Sequence, residues 1–515
     1  MVERKVGGDV KGALVAMATL ITIASVAQDS TLGLLFGVVV AGLAIYVMCR
    51  VPIRHSLLTL MFFTFVLQNP GEGLALDPSV FEPPYARLGA LMLTHMNTVD
   101  SSMSWCPLSG LDFCFLVLGL VFFYRRSTGS RLDSADRLAT PRPLLKLAWV
   151  ALGSVLYCWL SGIIRGGDFG MSLWQVNKVI YLPLIFLLFQ GSLRGPKDQP
   201  AIARVVLLAA AYKALLATYV IHNFHGPMDP ETGSDRLVVA TTHADSMLFA
   251  DAFVMLLAGL LERIGGKTKW YALCLLPLLV SGMLANGRRL VWVHVALVFI
   301  TVYIVAEDNA AKRFIRRSLA ALSPVAALYV LIGWNAGGAK IFKPVKMLRS
   351  VVDAKSDGST FWREMENFDI ISTFRQNPIF GTGFGHGYIE FVELPHIGYL
   401  LERYVPHNGI LGLWCYCGYF GYAALTLLWS GGVYFAMRAY HSTKVPWLRA
   451  GALVSFGAVL IYFQQAWGDL GLGSWTGVFS AACAIANSGK LAVAAGQWGD
   501  STKKPAPGAA TGVAT

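Results

Sequence analysis

The chain has 515 residues, of which 55% are hydrophobic and 14% charged, and its mean hydropathy is +0.55. A soluble domain carries about 25% charged residues, so this composition excludes an ordinary soluble enzyme and points to an integral membrane protein. The formal net charge of +12 reads as loop charge rather than as a nucleic-acid surface, because multispanning proteins concentrate Lys and Arg in their cytoplasmic loops.

A span needs about 20 apolar residues to cross roughly 30 Å of hydrocarbon. In chain order the apolar runs predict fourteen spans: 12–27, 31–49, 55–68, 109–124, 146–163, 172–190, 204–222, 243–261, 270–285, 290–306, 318–334, 412–437, 450–466 and 473–489. The start MVERKVGGDVK is basic, but the run behind it reads as a first span and not as a cleavable signal. With the N-terminus inside, the connections 50–54, 125–146, 191–204, 262–269, 307–317 and 438–449, together with the termini, hold most of the 42 Lys and Arg. The turns 28–30 and 467–472 hold none. The even count and the charge bias place both termini in the cytoplasm. The expected fold is an all-α integral membrane protein of about 14 transmembrane helices (12–14), with a large periplasmic loop containing an amphipathic helix. Its expected organisation is N-terminal spans over 1–145 with an outer loop at 69–108, central spans over 146–334, the periplasmic loop 335–411, C-terminal spans over 412–489, and a low-complexity, disordered cytoplasmic tail over 490–515.

Removing the inward charges leaves a short set on the outer side. Arg165 follows one span. Arg236 lies in GSDRLVVATTHADSMLFADAF, ahead of His243 and Asp245 at the start of the next. His243 and Asp245, two residues apart, do not share a helix face; capping and a buried polar contact are their expected roles. Arg288 and Arg289 occupy ANGRRLVWV, a tight hairpin on the side that the positive-inside rule depletes, and a guanidinium fork suits phosphate or carboxylate. Lys178 and Lys213 fall inside spans, where a charge costs about 2.5–3.5 kcal/mol on insertion scales. Lys178 lies near the outer end of its span and faces the same side, whereas Lys213 is nearer mid-helix, and for both a structural pairing with a carboxylate and a functional role stand open.

Within the large outer loop, Phe361, Met365, Phe368, Ile371 and Phe374 are spaced for one apolar helix face, which suits a helix lying at the outer interface. Glu364 and Glu366 on that helix read as solvated charges. NPIFGTGFGHGY then stops it. GTGFGHG lacks the preceding strand of a dinucleotide loop and reads as a tight backbone bend near a ligand. The stretch YVPHNGILGLWCYC places Pro406, His407 and Asn408 where the chain re-enters the membrane. Cys415 and Cys417 read as packing residues, since no second ligand pair gives zinc spacing.

The order of these features is an outer-loop arginine, an arginine turn opening a span, W-R followed by NPIFGTGFGHGY, then PHN with G-x-x-G leading into a span. It resembles the O-antigen ligase and O-antigen polymerase superfamily, over roughly residues 160–440. The resemblance implies a glycosyltransferase of the bacterial inner membrane whose donor is an undecaprenyl-diphosphate-linked oligosaccharide. The acceptor would be a glycan or lipid-linked acceptor, and a chain-length regulator or flippase of the same pathway a candidate partner. It also implies an essential periplasmic His in an H-N motif, here His407 with Asn408, and arginines on the diphosphate, here Arg236 and Arg289 with Arg288 beside it. HAD at 243–245 departs from the family's usual pattern and leaves His243 and Asp245 without a transferred role. The length leans towards a polymerase of repeat units; a ligase is the alternative.

Transfer from a polyprenyl diphosphate needs cations for the departing phosphates and a base for the acceptor hydroxyl. An imidazole, with an unperturbed pKa near 6.5, suits the second role. The expected catalytic residue is therefore His407. Arg236, Arg288, Arg289, Asn408, Lys178 and Arg165 are expected to bind substrate, with no cofactor and no metal ligands. A transporter, the rival class, predicts midplane charges on broken helices and repeated halves. Here the charges gather at one face and no repeat is evident.

Overall fold

The computed structural model describes residues 2–27, 30–67, 86–99, 104–130, 132–133, 137–228, 235–237, 240–335, 342, 345, 349, 358–394, 401, 403–469 and 471–498. Lipid offers the backbone no hydrogen-bond partners, so a long apolar run satisfies itself as helix. A helix stands at each of the fourteen predicted spans. In order the elements are α1 (Val2–Ala27), α2 (Ser30–Arg50), α3 (Ile53–Val66), α4 (Ala86–Leu93), α5 (Met96–Val99), α6 (Gly110–Ser127), α7 (Arg142–Ile164), α8 (Phe169–Ser192) and α9 (Gln199–Asn223). A two-stranded antiparallel hairpin, β1 (His225–Met228) with β2 (Asp235–Leu237), interrupts the helices. Then follow α10 (His243–Leu261), α11 (Gly265–Asn286), α12 (Arg289–Val305), α13 (Ala310–Trp334), α14 (Gly358–Phe374), α15 (Gly409–Ser442), α16 (Pro446–Gly468) and α17 (Trp475–Ala494).

Among the described residues, nine helices are long and apolar enough to cross a membrane. The chain is an α-helical membrane protein. Burial separates centre from rim: the apolar window of α17 is 94% buried, that of α13 is 0%. The small residues of α17 explain its central position, because they let neighbours approach closely. Its Gly477 packs on Tyr462 of α16 and its Gly489 on Leu144 of α7, while Ile485 fills the gap left by Gly432 of α15. The helix also runs past the predicted start of the tail. Lys490 is buried and donates to the Leu138 carbonyl, so the tail cannot begin at 490; residues 499–515 lie outside the described ones.

The long helix α15 is broken at Gly418, whose φ of 58° and ψ of −171° are not helical. The break frees two carbonyls and two amides, and the glycine-rich loop supplies their partners. Thr382 N–H donates to Cys415 O and Gly383 N–H to Tyr416 O, both at 2.9 Å, while Tyr419 and Phe420 donate to Pro378 O and Ile379 O at 2.8 and 3.0 Å. Irregular backbone inside a membrane protein survives only when protein satisfies it in this way. On its other side the loop meets the α7–α8 turn. Arg165 Nη1 donates to Gly381 O (2.9 Å) and Asp168 N–H to Gly385 O (2.9 Å), and Gln175 Nε2 donates to His386 O (2.8 Å). Gly383 has φ +87°, and a Cβ there would sit 2.3 Å from the Gly162 Cα. The predicted bend is real, but its glycines face protein backbone on both sides.

At the opposite end of the bundle Arg449 of α16 is buried against Glu262 (2.7 Å), reaches Glu307 (2.8 Å), and lies over the Tyr440 ring at 4.2 Å. Arg449 and Lys444 hold the Glu307 carboxyl down at about 2.

Candidate functional site

Pro406 ends the loop, and Asn408 caps α15 by accepting the Leu411 N–H at 3.0 Å. Asn408 is buried, so its oxygen is committed to the cap. His407 is thereby fixed at the mouth of the helix. Its backbone N–H faces both oxygens of Glu366 at 3.2 Å, and its Nδ1 lies 3.3 Å from Oε1. The ring also meets the edge of Trp362, with centroids 4.9 Å apart at 78°. An ionised carboxylate only accepts, so Nδ1 carries the proton towards Glu366, and Nε2 is the nitrogen left for a ligand. The His407 side chain is 21% exposed and that of Glu366 1%.

Glu366 is therefore not the solvated charge that its helix suggests. α14 buries Trp362, Glu366, Asp369, Ile370 and Thr373, while Phe361 and Phe368 of the predicted apolar face are exposed. Its inward stripe is largely polar because it has amides to satisfy. Asp369 Oδ1 accepts from Phe391 and Val392 at 3.0 Å each, and Thr373 Oγ1 accepts the Ile389 N–H at 2.9 Å. The outward phenylalanines suit the apolar side of an interfacial helix.

Arg288 caps α12 and Arg289 opens it. Their turn is tied to the start of α10 by Asn286, which donates to Thr241 Oγ1 (3.0 Å) and Thr242 O (3.2 Å) and accepts from Ser246 (3.2 Å). Asp245 accepts the Thr242 N–H at 2.7 Å, so the capping expected of it is realised. Its other oxygen pairs with Lys213 at 3.3 Å, both side chains buried, which gives Lys213 its carboxylate. Arg236 belongs to β2; its side chain lies outside the described residues.

Lys178 lines a cavity of about 50 Å³ together with Gln175, Pro406, Gly409, Tyr416 and Gly473, enough for a few water molecules. This places Lys178 under the His407–Asn408 turn. Beside it His95, between α4 and α5, stacks on Trp174 (centroids 4.0 Å apart) and meets Asn177 at 2.8 Å. Burial, with Lys178 nearby, pushes the His95 imidazole down to about 4. Arg165, by contrast, is turned onto the glycine-rich loop.

The structure thus sets Lys178 on one cavity with Pro406 and Gly409, which flank His407 and Asn408, and ties the turn of Arg288 and Arg289 to the start of α10 through Asn286. Sequence reasoning missed Glu366 as a partner of His407 and Asp469 as a partner of His243. For Glu366 a signal existed: it shares a helix face with Trp362 and Ile370, at i−4 and i+4. No protein-family model matches the chain, and no curated protein is similar to it.

Proposed function

We propose that the chain is a membrane glycosyltransferase acting on a glycan carried by a polyprenyl diphosphate. The acceptor hydroxyl oxygen bonds to the anomeric carbon of the donor sugar. The bond from that carbon to the phosphate oxygen breaks, and the diphosphate leaves with the electron pair. The hydroxyl proton passes to Nε2 of His407, whose other nitrogen is held by Glu366. Arginines of the α12 turn and Arg236 balance the departing charge. In this reading the site faces the periplasm of a bacterial inner membrane and the reaction joins polysaccharide repeat units.

The observation that carries the reading is a half-open imidazole at a helix mouth with a buried carboxylate on its Nδ1. The same arrangement orients the base in other acyl- and group-transfer sites. The resemblance of the PHN and arginine-turn segments to O-antigen ligases and polymerases supplies the substrate class. Complementing a deletion strain with His407→Ala tests it: surface glycan chains are lost while the protein is still present in the membrane. Full-length chains from a well-expressed His407→Ala would sink the role of His407. Accumulation of single-repeat glycan in the deletion strain identifies a polymerase; accumulation of whole carrier-linked chains identifies a ligase.

A further inference from the structure

The first turns of α13 carry KRFIRR over residues 312–317. They lie at the end of the bundle away from His407, beside the Arg449 network, since Glu307 just ahead of them pairs with Arg449 and Lys444. The entry to the helix is fixed. Asn309 accepts the Lys312 N–H at 3.0 Å and donates to Leu261 O of α10 at 2.8 Å. Lys312 Nζ turns back to Ala306 O (2.6 Å) and lies 4.8 Å from the centre of the Tyr303 ring, so its charge is used on the end of α12. Arg313 reaches Asp308 at 3.6 Å with both side chains half-exposed, a weakly held surface pairing. Arg316 and Arg317 are exposed and make neither a hydrogen bond nor an ion pair among the described residues.

Residues three and four apart share a helix face, so Arg313, Arg316 and Arg317 form one patch. Ala320, Pro324 and Ala327 continue that face, and all three are exposed. The apolar window of α13 is 0% buried, so in a membrane protein it is clothed either by acyl chains or by another apolar surface. Charge decides between them. Two copies of the chain in one bilayer share an orientation, and pairing through this face would set guanidiniums against guanidiniums. An anionic phospholipid brings hydrocarbon for the helix and a phosphate for the patch in one molecule.

We propose that the start of α13 is a binding site for an anionic phospholipid. Arg316 and Arg317 grip its phosphodiester, Arg313 is the third arm, and the acyl chains run along Ala320, Pro324 and Ala327. A guanidinium fork matches phosphate oxygens. A zwitterionic headgroup is disfavoured because its ammonium would face the same cations. The site lies at the other end of the bundle from His407 and does not depend on the transferase reading.

The test is native mass spectrometry of the full chain in detergent micelles, titrated with phosphatidylglycerol or phosphatidylcholine. Wild type is expected to bind its first phosphatidylglycerol about tenfold more tightly than phosphatidylcholine. Arg316→Gln/Arg317→Gln is expected to weaken phosphatidylglycerol roughly tenfold to thirtyfold and to leave phosphatidylcholine unchanged. Arg316→Lys/Arg317→Lys keeps both charges and should stay within about fivefold of wild type; a loss as deep as that of the Gln pair would point to a damaged fold and overturn the proposal. A Gln pair that keeps the wild-type preference overturns it outright. So does an equal loss from Arg126→Gln/Arg142→Gln, which removes two exposed arginines from the end of α6 and the start of α7, because binding would then follow net charge alone. Displacement of the lipid by glycerophosphoglycerol, which has the headgroup without acyl chains, assigns the patch to a soluble anion, and a lipid-free dimer assigns the face to a second copy. Either result overturns the lipid site.

Discussion

Replacing Glu366 by Gln exchanges one carboxylate oxygen for an amide nitrogen and tests the catalytic geometry directly. In the native site the carboxylate accepts from the His407 amide at 3.2 Å and holds Nδ1 at 3.3 Å, in a position 1% exposed. The side-chain amide of the Glu366→Gln variant has one acceptor and one donor group. Its oxygen can satisfy the backbone N–H, which then leaves its NH2 facing Nδ1. Nδ1 must become the acceptor, the ring proton moves to Nε2, and Nε2 can no longer take a proton from a hydroxyl. Loss of general-base catalysis costs about 10²–10⁴ in rate, so kcat is expected to fall by that factor with KM for the donor within about threefold. Stability should fall by only about 1–3 kcal/mol, the cost of one misplaced buried hydrogen bond. The assay is transfer by purified protein from a carrier-linked glycan, read as kcat and KM separately, with a thermal melt as control. A Glu366→Gln enzyme with kcat within about threefold of wild type would refute the claim that Glu366 sets the tautomer of His407.

Three further outcomes follow from packing and charge. Gly383→Ala combines a φ of +87° with a Cβ 2.3 Å from Gly162 Cα and should destabilise by roughly 2–6 kcal/mol. Gly166→Ala, at φ +90° with open space around it, should cost only about 1–2 kcal/mol, and equal losses in denaturant unfolding would contradict the docking of the loop. Arg449→Leu strips the buried Glu262 of its cation and should cost about 3–5 kcal/mol. Adding Glu262→Gln should recover part of that loss, and a melt no better than the single variant would count against an ion pair as its source. His95 is neutral in the fold, with its imidazole at about 4 against an ordinary 6.5. The unfolded state therefore takes up a proton first, and the stabilisation is complete above 6.5 and lost as pH falls towards 4. The loss amounts to about 3 kcal/mol at most. Hydrogen exchange over residues 92–99 should quicken in that window, and rates independent of pH there would exclude His95 as the cause.

Much of this protein is legible in one dimension. Hydropathy locates every helix that the expectation named, because a long apolar run has one solution in lipid, and Pro406 with Asn408 marks the start of α15 through local cap chemistry. The set of charged residues expected on the outer side also comes from counting, since Arg288 and Arg289 defy a charge rule that operates along the chain. Partners were not legible. Glu366 meets His407 across 41 residues, and on a helix with three phenylalanines along one side a carboxylate looks like solvated surface. Only the packing of α14 turns that polar stripe inward, where Glu366 holds His407 and Asp369 accepts the amides of Phe391 and Val392. The break at Gly418 is equally silent in sequence, for a glycine in a long apolar run reads as tolerated helix. It becomes a break because a loop nearly 40 residues earlier supplies hydrogen bonds to the four groups that it frees. Composition and period decide where a chain becomes helix, whereas the choice of partner for a buried charge depends on which faces meet in the assembled bundle.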